Sequence, residues 1–317
     1  IPFLVNVMEN EEFQSGKATV GFIARNPQLL IPQWGYDKDR GTKLIRYLAE
    51  LKVNGHPDVK SYDPDKKFRS PLIPAYDPLS AYPKGYKDLL NELGRDKFLQ
   101  YIKSGERLYT ANGNKSGILY TDTTFRDAHQ SLFATRLRNT DMLAVAEGMA
   151  KNHPEIFSME VWGGATFDVC MRFLHEDPWE RLRLLRKTMP NMLLQMLFRG
   201  SNAVGYAAYP DNLIEKFIEK SAENGIDIFR IFDSLNWLDG MKMSIRTVRE
   251  KTNSLAEACI CYTGDIMNPQ RQKFNLNYYV ELAKQLEGEG AHLLGIKDMA
   301  GLLKPYAAEA LVGELKK

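Results

Sequence analysis

A crowded set of polar residues follows an apolar stretch near the middle of the chain. In LYTDTTFRDAHQSLFATR, residues 119–136, a β-forming run is followed directly by Arg126, Asp127, His129 and Gln130. These side chains bring a cation, a carboxylate, an imidazole and an amide into five positions. Taken alone, Asp127 could be a helix N-cap and Arg126 a surface ion pair. The stretch predicts part of a polar site only if neighbouring strands end in similar groups.

Five other predicted strands do end in polar groups. They are followed by Gly163–Asp168, Arg199–Asn202 with Tyr206, Arg230 with Asp233, Thr263–Asp265, and Lys297–Asp298. In a barrel of parallel strands, active-site residues gather at the carboxyl ends of the strands. Each residue has a simple structural explanation by itself, but six such coincidences at one end favour a single site. We therefore predict one polar mouth, and we leave His129 without a role in it.

The elements that must position this mouth alternate regularly from residue 117 onward. The predicted strands are 117–123, 157–163, 192–198, 226–233, 256–262 and 292–298. The predicted helices are 140–152, 177–188, 211–224, 238–251, 274–289 and 305–316. Alternating strands and helices form a parallel sheet covered by helices, and eight units close a (β/α)8 barrel. We predict an α/β fold of this TIM-barrel type with about six of its eight units present.

The region before residue 117 does not show this alternation of strands and helices. It contains nine prolines, and its segment 61–86 is typical of an extended linker. Helical patterns flank this segment at 39–51 and 86–105. We predict two regions, an irregular and partly helical connector at 1–116 and a barrel at 117–317 that is incomplete at its carboxyl end.

Composition excludes several classes of function. The 317 residues carry a net charge of +2, with 44% hydrophobic and 26% charged residues, as in ordinary globular proteins. No basic stripe predicts nucleic-acid binding, and no apolar run reaches the roughly 20 residues of a membrane span. Three cysteines predict a reducing compartment. Cys259 and Cys261 could be metal ligands, but without a second pair they are better interpreted as small buried hydrophobes.

Five segments together resemble the carboxyltransferase domain of the biotin-dependent pyruvate carboxylase family. They are TDTTFRDAHQSLFATRLR, MLFRGSNAVGYAAYPDN, FRIFDSLNW, CYTGDI and GIKDMAGLLKP. The segment DRGTKLIRYLAELKVNG and the proline-rich stretch after it are similar to the family's allosteric-type connector, which links its biotin carboxylase and carboxyltransferase domains. Related oxaloacetate decarboxylases and transcarboxylases share RDAHQS but usually lack the FRGSNAVGY and DSLNW segments and the connector.

The resemblance implies a divalent metal, Mn²⁺ or Zn²⁺. Asp127 is similar to the family's carboxylate ligand, and Lys297 is similar to its carbamylated lysine, whose carbamate oxygens bind the same ion. A lysine captures CO₂ only as the neutral amine, so it needs a desolvated position that lowers its pKa. Carbamylation then converts a cation into an anion that suits a hard divalent ion.

The resemblance also implies binding sites for two reactants. Arg126, Gln130 and Arg199 match positions that hold pyruvate, and with Lys297 they are the implied catalytic residues. The two positions near the incoming biotin are Asp168 and Tyr206. An arginine fork suits the carboxylate of pyruvate, and nearby donors stabilise the enolate that forms. In the implied reaction, carboxybiotin releases CO₂ in a water-shielded site and the enolate captures it, giving oxaloacetate.

Further expectations come from the same resemblance. Biotin would be attached to a carrier domain outside this chain, and an ATP-binding domain would carboxylate it. Family members are homotetramers joined through barrel dimers, are activated by acetyl-CoA and supply oxaloacetate for gluconeogenesis. Some bacterial members bind cyclic di-AMP through a tyrosine, a role for which Tyr278 or Tyr279 is a candidate, although paired tyrosines in a helix more often pack. The implied location is the bacterial cytoplasm or the mitochondrial matrix.

The chain also departs from the family pattern. The family's metal site uses a His-x-His pair on a seventh strand, whereas the histidines here are His56, His129, His153, His175 and His292. We therefore predict that this chain supplies two of four metal ligands and does not carboxylate pyruvate by itself. The alternatives are a decarboxylase or transcarboxylase, whose chain should begin near TDT, and a non-catalytic regulatory or assembly module. Intact polar strand ends argue against the latter.

Overall fold

The computed structural model describes residues 2–31, 40–55, 75–109 and 117–317, and it divides the chain into two compact units, 1–71 and 72–317. The first unit contains helices α1 (Pro2–Glu9), α2 (Glu11–Gln14), α3 (Phe22–Arg25) and α4 (Arg40–Asn54). Asn6 holds this unit's first part together, because its buried amide donates to the carbonyls of Leu29 and Ile31. Helix α4 confirms the pattern at 39–51. Residues 61–74 of the predicted linker lie outside the described residues.

The second unit is built on parallel strands that follow one another in chain order. Those among the described residues are β1 (Thr121–Asp122), β2 (Ser158–Gly163), β3 (Leu193–Phe198), β4 (Ile228–Phe232), β5 (Leu255–Cys261) and β6 (Leu293–Lys297). Every neighbouring pair is parallel, in the order β1-β2-β3-β4-β5-β6. This order is that of a (β/α)8 barrel. The prediction of a partial TIM barrel is confirmed.

Helices connect the strands. Short helices α7 (His129–Leu132) and α9 (Thr166–Val169) follow β1 and β2 within their loops. The long outer helices are α8 (Asn139–Asn152), α10 (Pro178–Thr188), α11 (Asp211–Glu223), α12 (Asp239–Lys251), α13 (Leu276–Gly288) and α14 (Pro305–Leu315). Each outer helix begins and ends within two residues of its prediction. The start of α10 shows why, since Asp177 accepts from the Trp179 backbone (2.8 Å) and Pro178 suits the first helical turn.

The two faces of the sheet differ in chemistry because successive side chains point to opposite sides. Met159, Met196 and Ile231 lie on the helix-facing side and pack into one large apolar core with the outer helices. The inner face alternates with them and carries the polar residues of these strands. Its members include Ser158, Glu160, Gln195, Arg230, Glu257 and Lys297.

A second apolar core closes the amino ends of the strands, which we call the floor. Helices α5 (Tyr86–Leu93) and α6 (Arg95–Lys103) contribute Tyr86 and Phe98 to it, against Leu193 and Leu255 at the start of their strands. The single helical pattern predicted at 86–105 is broken at Gly94, whose φ is 72°. Residues 75–109 thus belong to the same compact unit as the strands, and the functional boundary at residue 116 stays a prediction.

Candidate active site

The carboxyl ends of the strands and the loops after them form the rim. Arg126 reaches it from a π-helical turn, Thr124–Ala128, directly after β1. The buried guanidinium of Arg126 donates from Nε to Glu160 Oε1 (2.5 Å) and pairs with the same carboxylate through Nη2. Its Nη1 donates to Asp127 Oδ1 (2.7 Å). Arg126 is therefore held between a fully buried carboxylate and a carboxylate that is 52% exposed.

Gln130 is oriented by the turn that follows β2. Its Oε1 accepts from the backbone N–H of Ala165 (3.1 Å). Gly164 makes this approach possible, because its φ is +56° and a Cβ there would lie 2.6 Å from Gln130 Oε1. With Oε1 engaged, the amide has its Nε2 group to donate to a further partner.

Three predicted site residues meet beside β3. Arg199 donates from Nη1 to the carbonyl of Gly205 (3.1 Å), and its guanidinium carbon lies 5.4 Å from the centre of the Tyr206 ring. The Tyr206 hydroxyl in turn donates to Asp168 Oδ2 (3.2 Å), which also pairs with Arg172 (3.0 Å). Asp168 and Tyr206 border a largely apolar cavity of about 290 Å³. The two predicted biotin residues are thus in contact, with Arg199 next to them.

The backbone of the β3 loop is strained where it carries Arg199. Ala203 is buried and has a φ of 49° and a ψ of −107°, a conformation that alanine rarely adopts. Two hydrogen bonds fix it, from the Arg199 N–H to the Ala203 carbonyl (2.8 Å) and from the Ala203 N–H to Gly200 (3.2 Å). Strain of this kind persists only where surrounding contacts hold it, and it is common at functional sites.

Lys297 is the last residue of β6. It is partly buried, and its Nζ lies 4.8 Å from the centre of the Phe232 ring. Lys297 and Asp127 follow the two outermost strands of the described sheet, so both lie at the rim end but at opposite edges. No hydrogen bond or ion pair joins them in the described part of the chain.

Whether Asp127 and Lys297 can hold a metal ion depends on how many ligand atoms they supply. Asp127 offers a carboxylate and Lys297 offers an amine that ligates only after it loses its charge. Residues 2–31, 40–55, 75–109 and 117–317 contain no cluster of three or more His, Cys, Asp or Glu that could hold an ion. The donors that the structure describes therefore do not complete a metal site by themselves.

A polar network on the inner face was missed by sequence reasoning. Glu160 Oε2 pairs with Arg230 Nη2 (2.6 Å) and accepts from Gln195 Nε2 (3.4 Å). Gln195 also donates to Glu257 (3.1 Å) and accepts from the Ser158 hydroxyl (2.9 Å). Burial raises the pKa of Glu257 to about 7. The available signal was one charged or amide residue inside each apolar run, in SMEVWG, LLQMLF and AEACIC.

Two histidines and two cysteines of this unit are placed in packing or backbone contacts rather than at the rim site. His129 is buried with its Nε2 2.7 Å from the Phe125 carbonyl, and burial lowers its pKa. His292 precedes β6 at the floor, and its Nδ1 accepts from the Ala256 backbone (2.9 Å). Cys259 and Cys261 are free and buried, which confirms their interpretation as packing residues.

Known relatives match the whole chain, although no family model does. It is 50% identical over 316 residues to pyruvate carboxylase of Bacillus subtilis, 51% over 318 residues to that of Staphylococcus aureus, and 45% over 316 residues to the human mitochondrial enzyme. Each match covers 100% of this chain and 26% of the relative. The chain thus spans about a quarter of the length of these relatives, and its first 116 residues take part in the match.

Solved structures agree with these matches. The carboxyl transferase domain of Rhizobium etli pyruvate carboxylase, determined with pyruvate, has a TM-score of 0.72 and 49% identity, over 88% of this chain and 45% of that one. The complete multifunctional enzyme from Rhizobium etli has a TM-score of 0.72 and 46% identity, over 99% of this chain and 28% of that one. These likenesses place the barrel in the class of carboxyl transferase domains. Within that class, the chain belongs to the pyruvate carboxylase family, which confirms the predicted resemblance.

Proposed function

We propose that the protein transfers CO₂ from carboxybiotin to the enolate of pyruvate and so forms oxaloacetate. The observation that carries this proposal is the meeting of Arg199 with the Tyr206–Asp168 pair at the rim. A relative supports it as well, since the Rhizobium etli domain was determined with pyruvate, with oxamate and biotin, and with pyruvate and biocytin.

Charge pairing favours Arg199 as the main partner of the pyruvate carboxylate. Arg126 and Arg230 share Glu160, and Arg126 also pairs with Asp127, so two carboxylates compensate these two cations. Arg199 has only a carbonyl and an aromatic ring as partners and forms no ion pair with a carboxylate in the described part of the chain. A guanidinium without a counter-ion binds an incoming carboxylate through two parallel hydrogen bonds. Gln130 Nε2 and Arg126 would then stabilise the charge that develops on the enolate oxygen.

The cavity beside Asp168 and Tyr206 is the proposed site for biotin. Its walls include Phe167, Val204 and Phe217, which suit the apolar side of a bicyclic ring. The carboxylate of Asp168 and the hydroxyl of Tyr206 can accept from and donate to a cyclic urea group. Biotin supplies an activated carboxyl group, and the pocket brings it close to the pyruvate carbon, which lowers the entropic cost of reaction.

Asp127 and Lys297 are proposed to supply one ligand each to a divalent metal, Mn²⁺ or Zn²⁺, with Lys297 as a carbamate. A hard divalent ion needs more donors than these two. The assignment therefore requires ligands besides the described residues. Until an ion binds, Arg126 holds Asp127 in place.

Assembly, regulation and location are proposed from the relatives. We expect a homotetramer built from barrel dimers and activation by acetyl-CoA, which is described as the allosteric activator of the Rhizobium etli enzyme. Tyr278 remains the candidate for cyclic di-AMP stacking, since Tyr279 is buried and hydrogen-bonded to Thr263 (2.7 Å). The relatives include a bacterial and a mitochondrial enzyme. The proposed location is therefore the bacterial cytoplasm or the mitochondrial matrix, where the product would serve gluconeogenesis. No helix in the described ranges is long and apolar enough to cross a bilayer.

Steady-state kinetics of the protein at its native length test the proposal. Arg199→Ala should lower kcat/KM for pyruvate by about 10²–10³, because it removes the charged partner of the substrate carboxylate. ATP cleavage that depends on bicarbonate should stay unchanged, because it does not involve the rim. Arg183→Ala, which removes an exposed arginine of α10, is the matched control. An unchanged kcat/KM in Arg199→Ala would refute the assignment.

A further inference from the structure

Glu160 is a fully enclosed charge on the inner face of the barrel. It lies on the inner face of β2 with 0% exposure, and both of its oxygens have cationic partners. Arg126 pairs with Oε1, while Arg230 pairs with Oε2. A carboxylate this deeply buried is stable as an ion only when such partners compensate for lost water.

We propose that Glu160 is a positioning residue for pyruvate binding, because it fixes the guanidinium of Arg126 at the rim. This inference rests on the proposed function. Glu160 occupies the Nε and Nη2 edge of Arg126 from below, and so it decides which N–H groups remain for a substrate. The guanidinium group is planar and rigid. A carboxylate bound to one of its edges therefore fixes the direction in which the N–H groups of the other edge point.

Local structure makes this anchor important. Strand β1 has only two residues in the sheet, and Arg126 follows it on a π-helical turn rather than on a long, well-paired element. The side-chain contact with Glu160 crosses to β2, which is fully buried and paired with β3 over most of its length. Arg126, which follows the shortest strand of the described sheet, thus takes its position from Glu160 on a well-paired strand. Gln195 adds a third contact to Glu160 (3.4 Å) and limits its rotation.

The floor provides a matched control, Asp227. This carboxylate is also buried between two cations, Lys87 (2.6 Å) and Arg186, and it accepts from the Leu194 backbone (2.8 Å). Its loss should destabilise the fold for the same reason as loss of Glu160. Asp227 touches none of the residues proposed to bind substrate.

The experiment compares Glu160→Gln with Asp227→Asn in the protein at its native length. Glu160→Gln should raise KM for pyruvate by about 10- to 100-fold, as expected for a misplaced substrate contact, with a smaller change in kcat. Asp227→Asn should lower Tm to a similar degree but leave this KM within about twofold. In an Arg126→Lys background, Glu160→Gln should add almost nothing, because the two residues act as one unit.

The outcomes distinguish failure of the positioning role of Glu160 from failure of the proposed function. If the wild-type protein turns over pyruvate and Glu160→Gln has the same KM, the positioning role is wrong and the proposed function stands. If the wild type shows no pyruvate-dependent turnover, both fail. Should Glu160→Gln not fold, Glu160→Asp keeps the charge but withdraws it by one methylene, so it should raise KM with Tm near wild type. An unchanged KM in Glu160→Asp overturns the proposal.

Discussion

At the floor of the barrel, Asp227 accepts from Lys87, Arg186 and a backbone N–H, and helices α5 and α6 close the space below it. At the rim, Glu160 is buried just as deeply, but Arg126, which it holds, extends to the half-exposed carboxylate of Asp127. The same kind of ion-pair cluster is therefore closed at one end of the barrel and open at the other.

The difference between floor and rim shows that residues which stabilise the fold and residues which could bind substrate lie at opposite ends of the barrel. The floor satisfies its polar groups within the protein and adds an aromatic core around Tyr86 and Phe98. At the rim, Gln130 and Arg199 have N–H groups left to donate, and they contact turns whose φ angles are positive. Barrel enzymes place their catalytic groups at the carboxyl ends of the strands, where loops can vary without disturbing the core. Substitutions at the floor should thus change stability, and substitutions at the rim should change activity.

The largest expected contrast comes from two leucines. Leu90 is 6% exposed in the floor core, and Leu235 is 84% exposed on the loop after β4. Leu90→Ala should lower the free energy of unfolding by about 2–5 kcal/mol, since it leaves a cavity. Leu235→Ala should lower it by less than about 0.5 kcal/mol. Denaturant titration monitored by circular dichroism measures both, and equal losses would contradict the separation of floor and rim.

His292 at the floor should make the stability of the protein fall in acid. Burial, together with Arg95 and Arg249, lowers its pKa from 6.5 to about 4. Between these two values the unfolded chain binds a proton that the folded protein does not, so stability is complete above pH 6.5 and falls as the pH drops toward 4. The loss should reach about 2 kcal/mol once solvent screening is allowed for.

His292→Gln removes this proton uptake and should flatten the stability curve between pH 6.5 and 4. Unfolding by urea at several pH values gives the curves for both proteins. Parallel curves for wild type and variant would show that His292 titrates alike in the folded and unfolded states. A flattened curve would assign the acid sensitivity to the floor rather than to the carboxylates of the rim.

The sequence predicted most elements of the barrel, because alternating apolar runs and caps are local signals. Strand β1 is the exception, with 117–123 predicted and only Thr121–Asp122 observed. Ile118 and Tyr120 are largely exposed there, and the strand has one neighbour in the described sheet, so propensity is not reinforced by packing. The break at Gly94 was also hidden, since a single helical pattern continues across it.

The sequence predicted which residues lie at the site, but it did not predict which side chains contact each other there. The strand ends identified Arg126, Arg199 and Tyr206, since each follows an apolar run. The pairing of Arg126 with Glu160 joins residues 34 positions apart, and it depends on strand register and on the inward face of β2. Whether Asp127 and Lys297 share an ion depends on how the sheet closes, which no local pattern encodes.

The smallest difference in stability between a rim variant and a floor variant should come from two glycines. Gly164 at the rim has a φ of +56° and Gly105 at the floor has a φ of +84°, so alanine should cost about 1–2 kcal/mol at either site. Their surroundings differ, because a Cβ at Gly164 would lie 2.6 Å from Gln130 Oε1, whereas nothing lies within 4 Å at Gly105. Gly164→Ala must therefore displace the Gln130 amide, and it should raise KM for pyruvate by about tenfold. Gly105→Ala should leave KM unchanged, and if both variants shift it equally, Gln130 does not contact the substrate.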